Sequence, residues 1–391
     1  MDKKNKKIIY INEMNEKAYN HLGINVTALK LNFLENAYNN LLEKGQKTKT
    51  ETETKNKLIS KVVCEKEKFK NIPVKEIFFS ENLKNKIYEF EEEKSSKDLN
   101  EYEKQNIGNI EYIKIENEDI YLKNVNIVSE NETKNILIEL DVKKKEENKT
   151  KSEEKIEYYR NLNLNISADN SKLNIIFLVK NSNSFSLDNI NLESKNKGNI
   201  NFRYVILGES CGNFNHTSKV YKDSKINVSG IYYLKNFEYL NFMYNGILKE
   251  EKAEAHFNVD GIMDNNSSKI SKDILNFENG AKGSIGIENE KIIVLSDDVK
   301  MKTAPILLSE EEDIIGEHGF SSGALDKNKM FYLKSRGLSE LEAKYIIINS
   351  KIEKIFENTF ENEEQNKNKK ETKLIEEKKK EIEEYIKQNI F

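Results

Sequence analysis

Cysteine is nearly absent from this chain: its 391 residues include two, Cys64 and Cys211. Two thiols cannot build a disulfide framework, which excludes the small disulfide-stapled secreted folds and points to a reducing compartment. The chain also lacks an excess of one charge sign. Its 63 Lys and Arg stand against 67 Asp and Glu, a formal net charge of −4. With no large basic field to track a phosphate backbone, nucleic acid is excluded as a partner. Long apolar runs are missing as well, since no segment approaches the roughly 18 consecutive apolar residues of a membrane span. The basic N-terminus (MDKKNKKIIYINEMNE) has an apolar run that stops at Asn12, too short for a signal peptide. The expectation is a soluble cytoplasmic protein with no membrane partner. Histidine is scarce too: His21, His216, His256 and His318 are the whole supply of imidazole.

What is present is 37% hydrophobic and 33% charged, polar for a globular protein but above the disordered range. The length has room for two or three domains of about 100–200 residues each. Lys, Asn, Ile and Glu are abundant, and no function follows from that. Periodicity divides the chain into regions 1–105, 106–320 and 321–391.

The first region reads as mainly helical. Leu29, Phe33, Leu34, Ala37, Tyr38, Leu41 and Leu42 recur at helical spacing, predicting a helix over Thr27–Glu43 with Gly45 as its C-terminal cap. The charged stretch 46–56 reads as a solvated linker, and Pro73 opens a second amphipathic piece.

From 106 to 320 the pattern is one of short β-branched and aromatic segments that alternate polar with apolar. Leu162, Leu164, Ile166 and Ala168 fall on one face of an extended chain, with Asn161, Asn163, Asn165 and Ser167 on the other. A sandwich, a barrel or a β-solenoid would each give this pattern. Asn-rich turns with no helix between strands favour the solenoid. The run 143–155 (KKKEENKTKSEEK) is too charged for a core and reads as a bulging loop.

The third region is helical again. Asp326 caps a short helix that Gly337 ends, and Ser339 with Glu342 forms a capping box for the next. That helix lines up Leu341, Tyr345, Ile348, Ile352, Ile355 and Phe356. The tail from Glu361 is a charged helix with a narrow stripe of Ile375, Ile382, Tyr385 and Ile386, marginal without something to pack on.

One stretch is more specific than any of this. Gly316–Gly323 (GEHGFSSG), then Phe331-Tyr332-Leu333 and Ser335-Arg336-Gly337-Leu338, resembles the end of the SufB/SufD proteins of the SUF iron–sulfur cluster assembly system. Phe277–Ser284 (FENGAKGS), Ile292–Ser296 and the pair Thr303 and Pro305 resemble further segments of the same family. The resemblance implies a mainly β fold, a right-handed parallel β-helix core flanked by N-terminal and C-terminal helical segments. It also implies a non-catalytic scaffold that docks a SufC-type ATPase through its C-terminal helices and pairs with a SufB-type scaffold through the β-helix. Glu288–Pro305 holds no cysteine, and serine at 309 cannot supply a thiolate, so the chain resembles the SufD-type subunit. No cluster is then expected to bind stably to the chain alone, only transiently in the assembled complex.

On this reading His318 and Glu317 are the candidates for cluster assembly, and His318 is the one candidate metal ligand. A nearby carboxylate, from Glu317 or the run Glu310–Asp313, can fix the tautomer of His318 or join the coordination. Phe331, Tyr332, Arg336, Tyr345 and Ile348 are the candidate partner-docking residues. The bland alternative for His318 is a histidine that hydrogen-bonds a turn after the last coil, and for Arg336-Gly337 a helix stop. His216 near Cys211 makes at most half a metal site, Cys64 reads as a small buried hydrophobe, and the glycines of 280–286 lack the Lys-Ser/Thr ending of a phosphate loop. Two other readings stay open: a single SufB-like scaffold working as a homodimer with SufC, and more remotely a β-helix polysaccharide-active protein.

Overall fold

The computed structural model describes residues 8–11, 27–30, 103–117, 120–142, 158–180, 184–208, 211–236, 238–357, 360 and 369–390. The chain divides into two compact units, 1–100 and 101–391. The rest of the predicted Thr27–Glu43 helix, the linker 46–56, the Pro73 segment, the loop 143–155, His21 and Cys64 lie outside the described residues.

In the first unit β1 (Ile8–Ile11) pairs antiparallel with β2 (Thr27–Lys30). Thr27–Lys30 is therefore a strand, not the first turn of a helix. The β-forming run Ile-Ile-Tyr-Ile offers it a ladder, and such pairing overrides a helical spacing read from one segment alone.

The second unit runs β3 (Glu103–Ile107), β4 (Ile110–Asn117), β5 (Ile120–Glu130), β6 (Thr133–Val142), β7 (Tyr158–Asp169), β8 (Lys172–Lys180), β9 (Ser184–Lys195) and β10 (Asn199–Leu207). It continues through β11 (Cys211–Val220), β12 (Lys225–Leu234), β13 (Tyr239–Leu248), β14 (Glu254–Met263), β15 (Ser268–Phe277), β16 (Ser284–Val294), β17 (Lys300–Ser309) and β18 (Ile314–Ala324). Helices α1 (Lys327–Ser335), α2 (Glu340–Phe356) and α3 (Lys369–Ile390) follow. Even-numbered strands from β4 to β18 stack in parallel in one sheet, and odd-numbered strands from β5 to β17 in another. Successive strands thus alternate between two sheets, which makes the β-solenoid. Strand β3 closes the first sheet antiparallel against β4. The segment Gly316–Gly323 is part of the last strand, β18, which pairs with β16.

Each coil advances about 26 to 31 residues, as the side chains stacked across it record. Asn174 donates to Asn135, which lies 39 residues upstream, so that coil is longer than the others. Asn201 donates on to Asn174 and Asn227 to Asn201, continuing the ladder at 3.0 and 2.9 Å. A second row joins Asn163, Asn189 and Asn215. Asparagine also serves the corners: Asn131, Asn170, Asn196, Asn236 and Asn265 all adopt left-handed backbone, which asparagine tolerates better than most residues. The abundance of asparagine therefore has a structural use that composition alone did not reveal.

The inward faces form one continuous apolar core, in which Tyr244 stacks on Phe257 at 4.0 Å and Phe214 on Phe242 at 5.3 Å. The outward face of the even-numbered sheet is covered by α2 and α3. Ile348, Ile352 and Ile355 of α2, with Leu374, Ile382 and Ile386 of α3, pack on Leu178, Val205, Ile231 and Ile262. The tail helix, marginal alone, thus finds its partner on its own chain. Lys378 and Lys180 both reach the buried carboxylate of Glu139, at 2.9 and 3.0 Å, and Arg203 caps the C-terminus of α2 by donating to the Ile355 carbonyl. Among the described residues no helix is long and apolar enough to cross a membrane.

Candidate functional site

The core changes character over the last coils. Along β15 the inward positions include Lys269, Ser271 and Asp273, and along β16 Glu288 and Glu290, all five buried. In the coils before, the same positions hold Leu240, Phe242 and Tyr244, and Phe257 and Val259. A charged group in such a place is tolerable only when paired. Lys269 forms a buried ion pair with Glu290, which also accepts a hydrogen bond from the Tyr232 hydroxyl at 3.0 Å. The Lys269 ammonium lies 5.1 Å from the centre of the Tyr232 ring. Tyr232 can cross to Glu290 because its neighbour in β14 is Gly261, where any Cβ would collide with the tyrosine hydroxyl. Burial, then the nearby Glu290 and Glu288, pushes the Asp273 carboxyl well above the usual carboxylate range. Ser271 donates to Thr303 of β17 at 3.0 Å, tying this layer to the last coil.

His318 stands at the open end of this column. It is the register partner of Glu288, and its Nδ1 lies 2.6 Å from Glu288 Oε2. The Glu288 side chain is 2% exposed and that of His318 is 18% exposed. The other ring nitrogen, Nε2, is buried without a hydrogen-bond partner. Its supporting carboxylate is not Glu317. Neighbours along a strand point to opposite faces, so Glu317 is exposed on the outer side, in register with Ile287. The run Glu310–Asp313 forms the surface bend between β17 and β18. Sequence reasoning missed Glu288 because it lies 30 residues upstream. The available signal was the alternation Ser284, Gly286, Glu288, Glu290, Ile292, which puts two acidic residues in phase with an inward face.

His216 is a core residue. Burial alone drives its pKa down to about 3, its Nε2 meets the Ser218 hydroxyl at 3.1 Å, and the edge of its ring packs on Phe202. Among the described residues no group of three or more His, Cys, Asp or Glu side chains is arranged to hold a metal.

The docking candidates separate into two environments. Phe331 and Tyr332 on α1 are 75% and 56% exposed, and the Arg336 guanidinium lies 5.2 Å from the Tyr332 ring centre. Helix α1 buries none of its residues. It borders a groove of about 680 Å³ lined by Val294, Leu295, Ala324, Leu325, Met330 and Phe331, among others. Ile348, by contrast, is fully buried against the sheet, with Tyr345 packed partly beside it. An isoleucine spent on its own chain's core is not a surface for a partner. Asp326 caps α1 and Ser339–Glu342 forms the capping box of α2, as the spacing predicts.

A family model described as "SUF system FeS cluster assembly, SufBD core domain" matches residues 114–351, from β4 through most of α2. The chain belongs to the SufB/SufD family. The match takes in Glu288, His318 and all of α1. Over 108 residues the chain is 30% identical to the iron-sulfur cluster assembly protein SufD of Bacillus subtilis strain 168. That stretch covers 28% of this chain and 25% of the relative's length. The parallel solenoid is the fold the resemblance implies.

Proposed function

We propose that this chain is a SufD-type scaffold subunit of an iron–sulfur assembly complex, non-catalytic by itself, with the cluster as transient cargo. The observation that carries the reading is His318. Its Nδ1 is engaged by a buried carboxylate and its Nε2 is uncommitted, which is how proteins commonly present a ligating imidazole. It sits at the end of the solenoid, where the last strands leave Leu307, Leu308, Ile315 and Phe320 exposed. Apolar side chains around an unpaired parallel edge call for a cover, and a SufB-type scaffold presenting a similar end would provide one. That partner would supply the thiolates, since no cysteine lies in 212–391 of this chain.

A SufC-type ATPase would dock on α1 and its groove, where Phe331, Tyr332 and Arg336 form an exposed aromatic and cationic surface. The test is co-expression of the chain with SufB-type and SufC-type proteins. His318→Ala should leave the complex assembled while cluster formation falls sharply. Unimpaired cluster formation would remove His318 from the chemistry. A brown, cluster-bearing isolated chain would favour the homodimeric single scaffold instead.

A further inference from the structure

Glu288 has no reason of packing to be a carboxylate. Its row along the even-numbered sheet runs Phe202, Val228, Phe257, Glu288, His318, so an apolar column ends in an acid and an imidazole. At 2% exposure the acid is out of reach of bulk water, and the hydrogen-bonding partner the structure gives it is His318. An ionised carboxylate only accepts hydrogen bonds. With Glu288 ionised, the bond places the ring proton on Nδ1, which in the neutral ring leaves the lone pair on Nε2, the atom without a partner.

We infer that Glu288 is a positioning residue: it holds His318, at the end of the solenoid, in the Nδ1–H tautomer and so keeps the Nε2 lone pair free as a nitrogen donor to iron. The inference rests on the role proposed for His318 above and assigns that role to one ring nitrogen and one supporting side chain. The protein atoms involved undergo no net chemical change. The proton stays on Nδ1, and the lone pair of Nε2 is what a ligated metal would take.

Nitrogen NMR on the full chain with isotope-labelled histidine reads the tautomer directly. With four histidines in the chain, His318→Ala identifies the signal by its loss. The wild-type ring should be protonated at Nδ1 and bare at Nε2. Glu288→Gln, whose amide can either donate or accept, should release the preference and populate the Nε2–H form. It should keep the β circular dichroism of the wild type and lower cluster formation by the full complex about 10- to 100-fold, the range for losing a residue that supports a metal ligand. Glu288→Asp, which keeps the charge but shortens the reach, should recover part of both. A wild-type ring protonated at Nε2 overturns the proposal without any variant. So does a Glu288→Gln complex with full assembly activity while His318→Ala has none. If His318→Ala assembles clusters normally, the functional reading of His318 fails instead, and the tautomer measurement still decides what Glu288 does.

Discussion

The middle and final coils of the solenoid share one backbone and one register yet enclose opposite chemistries. Around β10–β14 the inward positions include Phe202, Tyr204, Phe214, Phe242 and Phe257, a column of rings in contact. Two strands later the same rows hold Lys269, Ser271, Asp273, Glu288 and Glu290, and then His318. In a globular core such a cluster would disturb neighbours on every side. In a stacked fold each coil packs chiefly on the one before and the one after, so an apolar column can hold the fold while its last layers carry polar groups. The polar layers also lie where the stack ends, with His318 still partly open to solvent.

The contrast can be broken at either end. Lys269→Ala should have the largest effect, since it strands Glu290 in the interior, and about 3–5 kcal/mol of stability should be lost. Phe242→Ala in the aromatic column should cost a similar 3–5 kcal/mol through the cavity it leaves. Denaturant unfolding measures both. The two losses differ in how they are repaired. Replacing Lys269, Glu290 and Tyr232 together by Met, Leu and Phe removes the pair and the hydroxyl that depends on it. That triple variant should be at least as stable as the wild type, since well-packed apolar groups commonly match a buried ion pair. If it is as unstable as Lys269→Ala, the polar layer is indispensable packing and the contrast between the coils loses its meaning.

The helical cover offers the next test. Burial alone would raise the pKa of Glu139, but the charge of Lys180, with hydrogen bonds from Tyr112 and Lys378, more than offsets it and sets the value at about 2. A carboxyl whose folded-state pKa is depressed stabilises the fold above its unfolded pKa and loses that contribution as pH falls through the folded value. The fold should therefore lose roughly 3 kcal/mol between about pH 4.5 and 2, and attachment of α3 should weaken by the smaller part that Lys378 contributes. Hydrogen exchange along α3 would follow it, and Glu139→Gln should remove the pH dependence. On the same cover, Ile348→Asp should unfold the helix–sheet packing, whereas Phe331→Asp with Tyr332→Asp should leave folding intact and abolish ATPase docking. Retained co-purification of the double variant would move the docking surface elsewhere. A small stability effect is expected at His318. Its replacement by Ala should cost no more than about 1 kcal/mol, well below Lys269→Ala, while its effect on assembly should be the largest of any substitution here.

Much of this was legible in the linear chain. The strand-only middle, the Asn-rich corners, the Asp326 cap, the Ser339–Glu342 capping box and the His318 motif all rest on local spacing, which a sequence displays. What misled the reading was adjacency. Glu317 looked like the partner of His318 because it is next in the chain, and Ile348 looked available because its helix has an apolar side. In an extended strand the next residue points away, and an apolar helix side is a surface only until something covers it.

The sequence by itself determined the strand-only middle, the helix caps and the likeness of the GEHGFSSG and FYLKSRGL segments to the SufB/SufD family, which implied the solenoid, because these are set by residues within a few positions of one another. Only the tertiary structure decided that Glu288 meets His318, that Lys269 meets Glu290, and that α3 returns to Glu139. Those pairings depend on how many residues each coil spends before it returns to the same row. That count depends on the lengths of every strand, corner and insertion in the coil together, and no single residue in it carries the answer.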